Sequence, residues 1–255
     1  MAFISNLPTT LLPEVAFDLH DILNNTLWKG DVGMKDFLLV TICSMAITLI
    51  IAVNHSAAGQ AEGKGIFASK KCGDCHLMAG PNTDKTFADK LNRKGPDLWF
   101  AGSKFKKDWL EGWLKNPKPI RQMEYNSIEK KNSGNHSKLS DKEAGDVTAY
   151  LMTLKSKDVA EGVIIDGKPN MQGQLVFNKK QGCYGCHPVA KAGKVVGGLS
   201  GPSFVDAGKR LQGDWIYAYL KNPKSLIPVK RMPTYEGILN DNDMKNVAQY
   251  VTTFK

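Results

Sequence analysis

Cysteine is scarce in this sequence, and a long uncharged apolar run occurs only once. Five cysteines in 255 residues are too few for a disulfide scaffold, and the odd number leaves at least one without an intramolecular partner. With 24 glycines, 12 prolines and 42% hydrophobic residues, the composition excludes collagen and a disordered chain. The length fits one large or two small globular domains. A formal charge of +9 indicates an acidic partner but does not separate nucleic acid from protein.

Four of the cysteines form two Cys-x-x-Cys pairs, each followed at once by a histidine. The motifs are Cys72-Gly-Asp-Cys75-His76 and Cys183-Tyr-Gly-Cys186-His187. Residues three apart on a helical turn lie on one face, so two thiols can reach the two vinyl groups along one porphyrin edge. The histidine can then bind the iron as its proximal ligand. The sequence therefore predicts two covalently bound haem c groups.

Paired cysteines also have two other common uses. Both pairs could join in one four-cysteine zinc cluster, or each pair could form a local disulfide. A zinc cluster would not explain why a histidine follows each pair directly.

The apolar run lies at residues 37–53 and is free of charge. As a helix its 17 residues would extend about 26 Å, the lower limit for crossing a bilayer core. We interpret it as a transmembrane helix or signal anchor. A cleaved signal peptide is the alternative, because small residues suited to cleavage follow at 56–58. Residues 1–36 form an amphipathic leader whose acidic polar face favours docking against a partner subunit.

Beyond the apolar run the chain repeats itself. AGSKFKKDWLEGWLKNP at 101–117 and AGKRLQGDWIYAYLKNP at 207–223 are identical at eight of 17 positions, with an offset of 106 residues. This repeat predicts a first domain at 62–157, a linker at 158–170 and a second domain at 171–255. Domains of this size hold only a small polypeptide core, so a bound haem would supply much of the apolar interior.

The order of parts in each unit resembles class I cytochrome c. In that family an N-terminal helix leads into Cys-x-x-Cys-His, followed by a Gly-Pro loop, a middle helix, a methionine loop and a C-terminal helix. The resemblance covers about residues 62–255 and implies an all-α fold with a distal methionine late in each domain. In the second domain Met232 occupies that place, ten residues after Asn222. A thioether ligand raises the reduction potential of the iron relative to a second histidine. Met244 is a weaker candidate, because it lies within the predicted terminal helix.

The first domain offers two candidates for the distal ligand. Met123 lies in the matching loop, seven residues after Asn116, but Glu124 follows it where the second domain has a proline. His136 lies farther along the same loop and would give an iron with two histidine ligands. The family pattern favours Met123, because a histidine in a Gly/Asn/Ser-rich loop is more often solvated. The predicted iron ligands are therefore His76 with Met123 and His187 with Met232.

The resemblance implies transfer of single electrons without catalysis by the chain, because a six-coordinate iron has no open position for a substrate. The repeat most resembles dihaem subunits of cytochrome bc-type quinol:cytochrome c oxidoreductases, which implies cytochrome b and Rieske-type partners in a respiratory chain. Cytochrome subunits of nitric oxide reductases and haem-copper oxidases share these modules. A cleaved periplasmic shuttle and a dihaem peroxidase are further alternatives. Haem attachment outside the cytoplasm implies that the haem domains face the periplasm from the inner membrane.

Charge is distributed unevenly along the chain. Residues 1–56 carry two lysines and five acidic residues, whereas the remainder carries 32 basic and 20 acidic residues, a formal charge of +12. Four ionised haem propionates would lower this to about +8. We expect this basic part to meet an acidic redox partner protein and no nucleic acid. The lysines at 104, 106 and 107 are interpreted mainly as a solvated face.

Overall fold

The computed structural model describes residues 59–124, 127 and 129–255, all within one compact unit, Ser56–Lys255. The predicted leader and the apolar run at 37–53 lie outside the described residues. Within the described part of the chain, no helix is long and apolar enough to span a membrane.

The first repeat is built from helices. Helix α1, whose described part covers residues 59–69, leads into a 3-10 turn at Cys72–Asp74. The following helices are α2 (Phe87–Leu91), α3 (Ala101–Lys104), α4 (Lys107–Lys115) and α5 (Asp141–Met152). Ser140 begins α5 as the capping pattern predicts, because its side chain accepts from Glu143 N and the Glu143 carboxylate accepts from Ser140 N.

The second repeat keeps the order of the principal helices, but it has a hairpin in place of α2 and one additional short helix. Helix α6 (Met171–Leu175) continues as a π-helical turn at Val176–Lys180 and leads into a 3-10 turn at Cys183–Gly185. Then follow α7 (Ala207–Arg210), α8 (Gly213–Lys221), α9 (Pro223–Leu226) and α10 (Asp241–Val251). The described residues also contain one antiparallel hairpin, β1 (Val189–Lys191) and β2 (Lys194–Val196). The all-α prediction is therefore confirmed for the helical scaffold and misses this hairpin.

The first and last helices of each repeat cross at a glycine. A Cβ atom on Gly63 of α1 would lie 1.9 Å from Asp146 O of α5, and one on Gly173 of α6 would lie 2.0 Å from Asn246 O of α10. Only glycine allows the two backbones to approach so closely. An edge-to-face aromatic pair covers each crossing: Phe67 with Tyr150 at 6.0 Å, and Phe177 with Tyr250 at 5.6 Å between ring centroids.

The two repeats pack directly on each other. Helix α3 of the first repeat contacts α8 of the second, and α4 contacts α7. The segment between the repeats forms turns without a helix or strand. The Asp214 carboxylate at the start of α8 accepts from the backbone N–H groups of Gly162, Val163 and Ile164 at 2.7, 2.9 and 2.7 Å. The linker is thereby fixed to the second repeat.

Candidate functional site

Each Cys-x-x-Cys-His motif lies on a tight turn that follows a left-handed residue. Lys71 has φ 56° and Gly182 has φ 54°, at equivalent positions of the two repeats. In the first motif Cys75 N donates to Cys72 O at 3.2 Å and His76 N donates to the same oxygen at 3.1 Å; the second motif has the same two hydrogen bonds. This turn brings each pair of cysteines to one side of the chain, as covalent attachment to one porphyrin edge requires.

The two cysteines of each motif are not joined in a disulfide. Burial raises the pKa of Cys183 to about 11 and also raises the pKa of Cys72. Zinc binds the thiolate form, which these shifts disfavour. Among the described residues, no group of three or more His, Cys, Asp or Glu side chains is placed to hold a metal ion. The described residues thus give no support to a four-cysteine zinc cluster or to local disulfides.

Both proximal histidines are oriented through their Nδ1 atoms. His76 Nδ1 lies 2.8 Å from Pro96 O, and His187 Nδ1 lies 2.7 Å from Pro202 O. A carbonyl oxygen can only accept, so Nδ1 carries the proton and Nε2 keeps the lone pair that a metal needs. Burial lowers the pKa of both imidazoles, which favours this neutral form.

A glycine beside each proximal histidine leaves room for the imidazole. A Cβ atom on Gly95 would lie 2.8 Å from His76 Cε1, and one on Gly201 would lie 2.6 Å from His187 Cε1. Both distances are too short for any larger residue. The two Gly-Pro loops, Gly95-Pro96 and Gly201-Pro202, thus position the histidines. In each loop the glycine Cα packs against the imidazole, and the proline carbonyl accepts its Nδ1 hydrogen bond.

Met232 lies in the irregular segment that precedes α10. Its side chain packs against the hydrophobic core, and Lys230 Nζ donates to Met232 O at 2.6 Å. Burial raises the pKa of Tyr235 in the same loop, and the nearby Cys183 thiol adds to this shift. Tyr235, in the loop that carries Met232, is therefore close enough to the attachment cysteines to be affected by their charge. Met244 is buried in α10, in agreement with its assignment to the core.

The two distal candidates of the first domain lie in different surroundings. Met123 forms an antiparallel bridge with Lys131, and it is not among the described hydrophobic side chains that pack against the core. His136 is exposed, but its ring centroid lies 6.2 Å from that of His76. The structure thus brings His136 next to the proximal histidine.

Several buried hydrogen-bond donors lie close together where the two repeats meet. Among the described residues, Trp99 Nε1, Trp215 Nε1 and Arg210 Nε are buried without a hydrogen-bond partner. Burial lowers the pKa of the Arg210 guanidinium to about 10. Phe100 joins the two tryptophans, with ring centroids 4.8 Å from Trp99 and 6.1 Å from Trp215.

Lys104 lies in the same region, and its assignment to a solvated face is wrong. Its Nζ is 4.7, 4.9 and 5.8 Å from the ring centroids of Trp215, Phe105 and Phe100, although the residue keeps some exposed surface. Burial among these rings lowers its pKa to about 7. In the repeat Lys104 is equivalent to Arg210, and this pairing of two cations is the signal in the sequence that could have revealed the cluster.

The residues present fit two haem groups. The thiols of Cys72 with Cys75 and of Cys183 with Cys186 would attach them, and His76 and His187 would bind iron through Nε2. The donors that lack partners in the described structure are those that haem propionates would accept from. A haem so held supplies a one-electron iron couple.

Two protein families match the chain, one for each repeat. Residues 60–155 match the cytochrome c family. Residues 168–251 match the family described as cytochrome c oxidase, cbb3-type, subunit III. No solved structure matches the chain.

Proposed function

Because the chain is a class I c-type cytochrome with two tandem domains, each with a covalently attached haem c, we propose that it carries single electrons through both haems as a subunit of a membrane redox complex. The complex we propose is a cytochrome bc-type quinol:cytochrome c oxidoreductase. In it, cytochrome b and a Rieske-type subunit would oxidise quinol, and this chain would pass the electrons onward.

The direct packing of the two haem domains carries this proposal. An unbroken series of aromatic contacts runs from Trp99, near the proximal loop of the first domain, through Phe100 and Trp215 to Tyr219 in the second, the last two with ring centroids 5.1 Å apart. Ser203 N beside the second Gly-Pro loop also donates to Ile120 O of the first domain at 2.8 Å. Two redox centres held in one compact unit are suited to exchanging electrons within the chain.

Attachment to a membrane is part of the proposal. The uncharged run at 37–53 would anchor the chain, with both haem domains on the periplasmic side of the inner membrane. The acidic leader would dock on a partner subunit. The remaining part, with its formal charge of +12, would attract an acidic redox partner protein.

A second complex is favoured by one specific observation. The second domain matches a family named for a subunit of cbb3-type cytochrome c oxidase. A cytochrome subunit of a haem-copper oxidase would use the same two domains, but it would deliver electrons to an oxygen-reducing subunit. The electron carrier function is the same in both cases, and the partner differs.

Isolation of the full-length chain from its native membrane tests the assignment. The chain, tagged at its C-terminus, is solubilised in mild detergent, and the co-purifying proteins are identified by mass spectrometry and metal analysis. Cytochrome b and a Rieske subunit are the expected partners. A copper-containing oxidase subunit would support the second candidate in place of the first. Recovery of the chain alone, processed before residue 59, would overturn both and indicate a free shuttle.

A matched variant tests transfer in series. Cys183→Ala with Cys186→Ala removes the second attachment site and leaves the first motif intact. We expect the isolated complex with this variant to be reduced by quinol at one haem and to lose reduction of its external acceptor. Unchanged reduction of the acceptor would contradict transfer through the second haem.

A further inference from the structure

The distance between two histidine rings assigns an iron ligand in the first domain. The centroids of His76 and His136 lie 6.2 Å apart, with an interplanar angle of 52°. Two imidazoles that bind one metal ion from opposite sides, each through a bond of about 2 Å, have centroids roughly 6 Å apart. The observed separation is therefore suited to a single iron between the two rings.

In both rings Nδ1 is engaged by a backbone carbonyl, and Nε2 is the nitrogen available to a metal ion. His136 Nδ1 lies 3.0 Å from Ser137 O, as His76 Nδ1 lies 2.8 Å from Pro96 O. Because a carbonyl oxygen only accepts, each Nδ1 carries a proton, and Nε2 is the nitrogen that remains to bind a metal ion. A hydrogen bond from Nδ1 to a carbonyl is also the usual way in which a metal-binding histidine is oriented.

The loop around His136 is shaped to hold this ring. Gly134 adopts φ 74°, its N–H donates to Asn132 Oδ1 at 2.9 Å, and its carbonyl accepts from His136 N at 2.8 Å. The His136 ring meets Trp113 of α4 edge to face, with centroids 4.7 Å apart. This turn and the aromatic contact restrain the ring, although the residue is exposed.

The backbone around Met123 is part of a short antiparallel pairing, unlike the turn that carries His136. The backbone on both sides of it pairs with residues 130–132: Asn132 N donates to Gln122 O at 2.8 Å, and Glu124 N donates to Lys130 O at 2.9 Å. The preceding residues contact the second domain, where Ile120 O accepts from Ser203 N. Met123 is half-buried, but among the described residues it is not one of the side chains that pack against the core, as Met232 is.

We propose that His136, and not Met123, is the distal ligand of the first-domain iron. The first haem then has two imidazole ligands, and the second has His187 and Met232. A thioether ligand raises the reduction potential of haem iron. The first domain therefore has the lower potential of the two, which favours electron flow from the first domain to the second. This proposal requires only haem binding and is independent of the partner complex.

The methionine-to-iron charge-transfer absorption of the ferric holoprotein tests the proposal. Its intensity per two haems should equal one site in the unmodified full-length chain, a measurement that needs no variant. Met232→Ala should abolish the band, and Met123→Ala, the matched control, should leave it unchanged. A two-site band that falls by half in Met123→Ala would overturn the proposal.

Variants at His136 provide a second readout. His136→Ala should convert one of the two haems to a high-spin form that binds added imidazole, with covalent haem content unchanged. His136→Met should double the charge-transfer band and raise the lower of the two midpoint potentials. If both haems in His136→Ala stay low-spin and bind no added imidazole, His136 is not a ligand.

Discussion

Phe105 and Leu211 form an antiparallel backbone bridge with each other, although 106 residues separate them. The same offset relates the two repeats, so each residue meets its own equivalent. On one side Lys106 N donates to Arg210 O at 2.9 Å, and on the other Gln212 N donates to Lys104 O at 3.0 Å. The contact is therefore isologous, as at the two-fold axis of a homodimer, and the domains of this chain face each other through equivalent surfaces.

Side chains repeat this symmetry at the interface. Lys106 Nζ donates to Gly208 O at 2.8 Å, and the equivalent Gln212 Nε2 donates to Gly102 O at 2.8 Å and to Phe105 O at 2.7 Å. We predict that Gln212→Ala destabilises the folded protein by about 1–3 kcal/mol, because two carbonyl acceptors lose their donor. Urea unfolding of the holoprotein, followed by tryptophan fluorescence, measures the change.

A neighbouring residue serves as the control for the interface. Lys107 is exposed and follows Lys106 directly, so Lys107→Ala should change the free energy of unfolding by less than about 0.5 kcal/mol. Equal effects of Gln212→Ala and Lys107→Ala would show that the two side-chain hydrogen bonds of Gln212 contribute nothing to stability.

The crossing of α1 and α5 predicts opposite effects for two glycines of one helix. Gly63→Ala places a methyl group 1.9 Å from Asp146 O, and relief requires the helices to separate. We expect a loss of about 3 kcal/mol in the free energy of unfolding. Gly65 is exposed and a Cβ there has no neighbour within 4 Å, so Gly65→Ala should stabilise the helix by up to about 1 kcal/mol. Thermal unfolding by circular dichroism distinguishes them, and equal melting temperatures would contradict the close crossing.

Gly201 gives a prediction for the second haem site. In Gly201→Ala the new methyl group lies 2.6 Å from His187 Cε1 and Nδ1, so the imidazole must turn away from its place. We expect the second haem to lose part or all of its low-spin spectrum while the first is unaffected. Gly185→Ala changes a residue between the attachment cysteines but meets nothing within 4 Å, and it should keep both spectra. A low-spin second haem in Gly201→Ala would contradict this account.

The attachment motifs and the helices could be predicted because their determinants are local. A thiol pair three residues apart defines its own turn, and Ser140 caps α5 with the residue three positions on. The contact of Phe105 with Leu211 could not be predicted, since the repeat shows equivalence but not which surfaces meet. The place of His136 depends on Trp113 and the turn at Gly134, which bring together residues from two elements. The burial of Lys104 depends on rings from both repeats, so the equivalence of Lys104 and Arg210 is the signal that the sequence offers for it.

The linker supplies the last prediction, with a control built into the repeat. Asp214 and Asp108 are equivalent residues in the first turns of α8 and α4, so both favour their helix by interacting with its N-terminus. Only Asp214 also accepts three backbone hydrogen bonds from the linker. Asp214→Ala should therefore favour local opening of the linker by about 2 kcal/mol and speed cleavage after Glu161 by the glutamate-specific endoproteinase Glu-C by roughly tenfold or more. Asp108→Ala should leave the cleavage rate near that of the unmodified protein, because it changes only the helix end. Equal cleavage rates for the two variants would mean that the Asp214 carboxylate does not restrain the linker. Faster cleavage in Asp214→Ala alone would show that this one side chain restrains the segment between the haem domains.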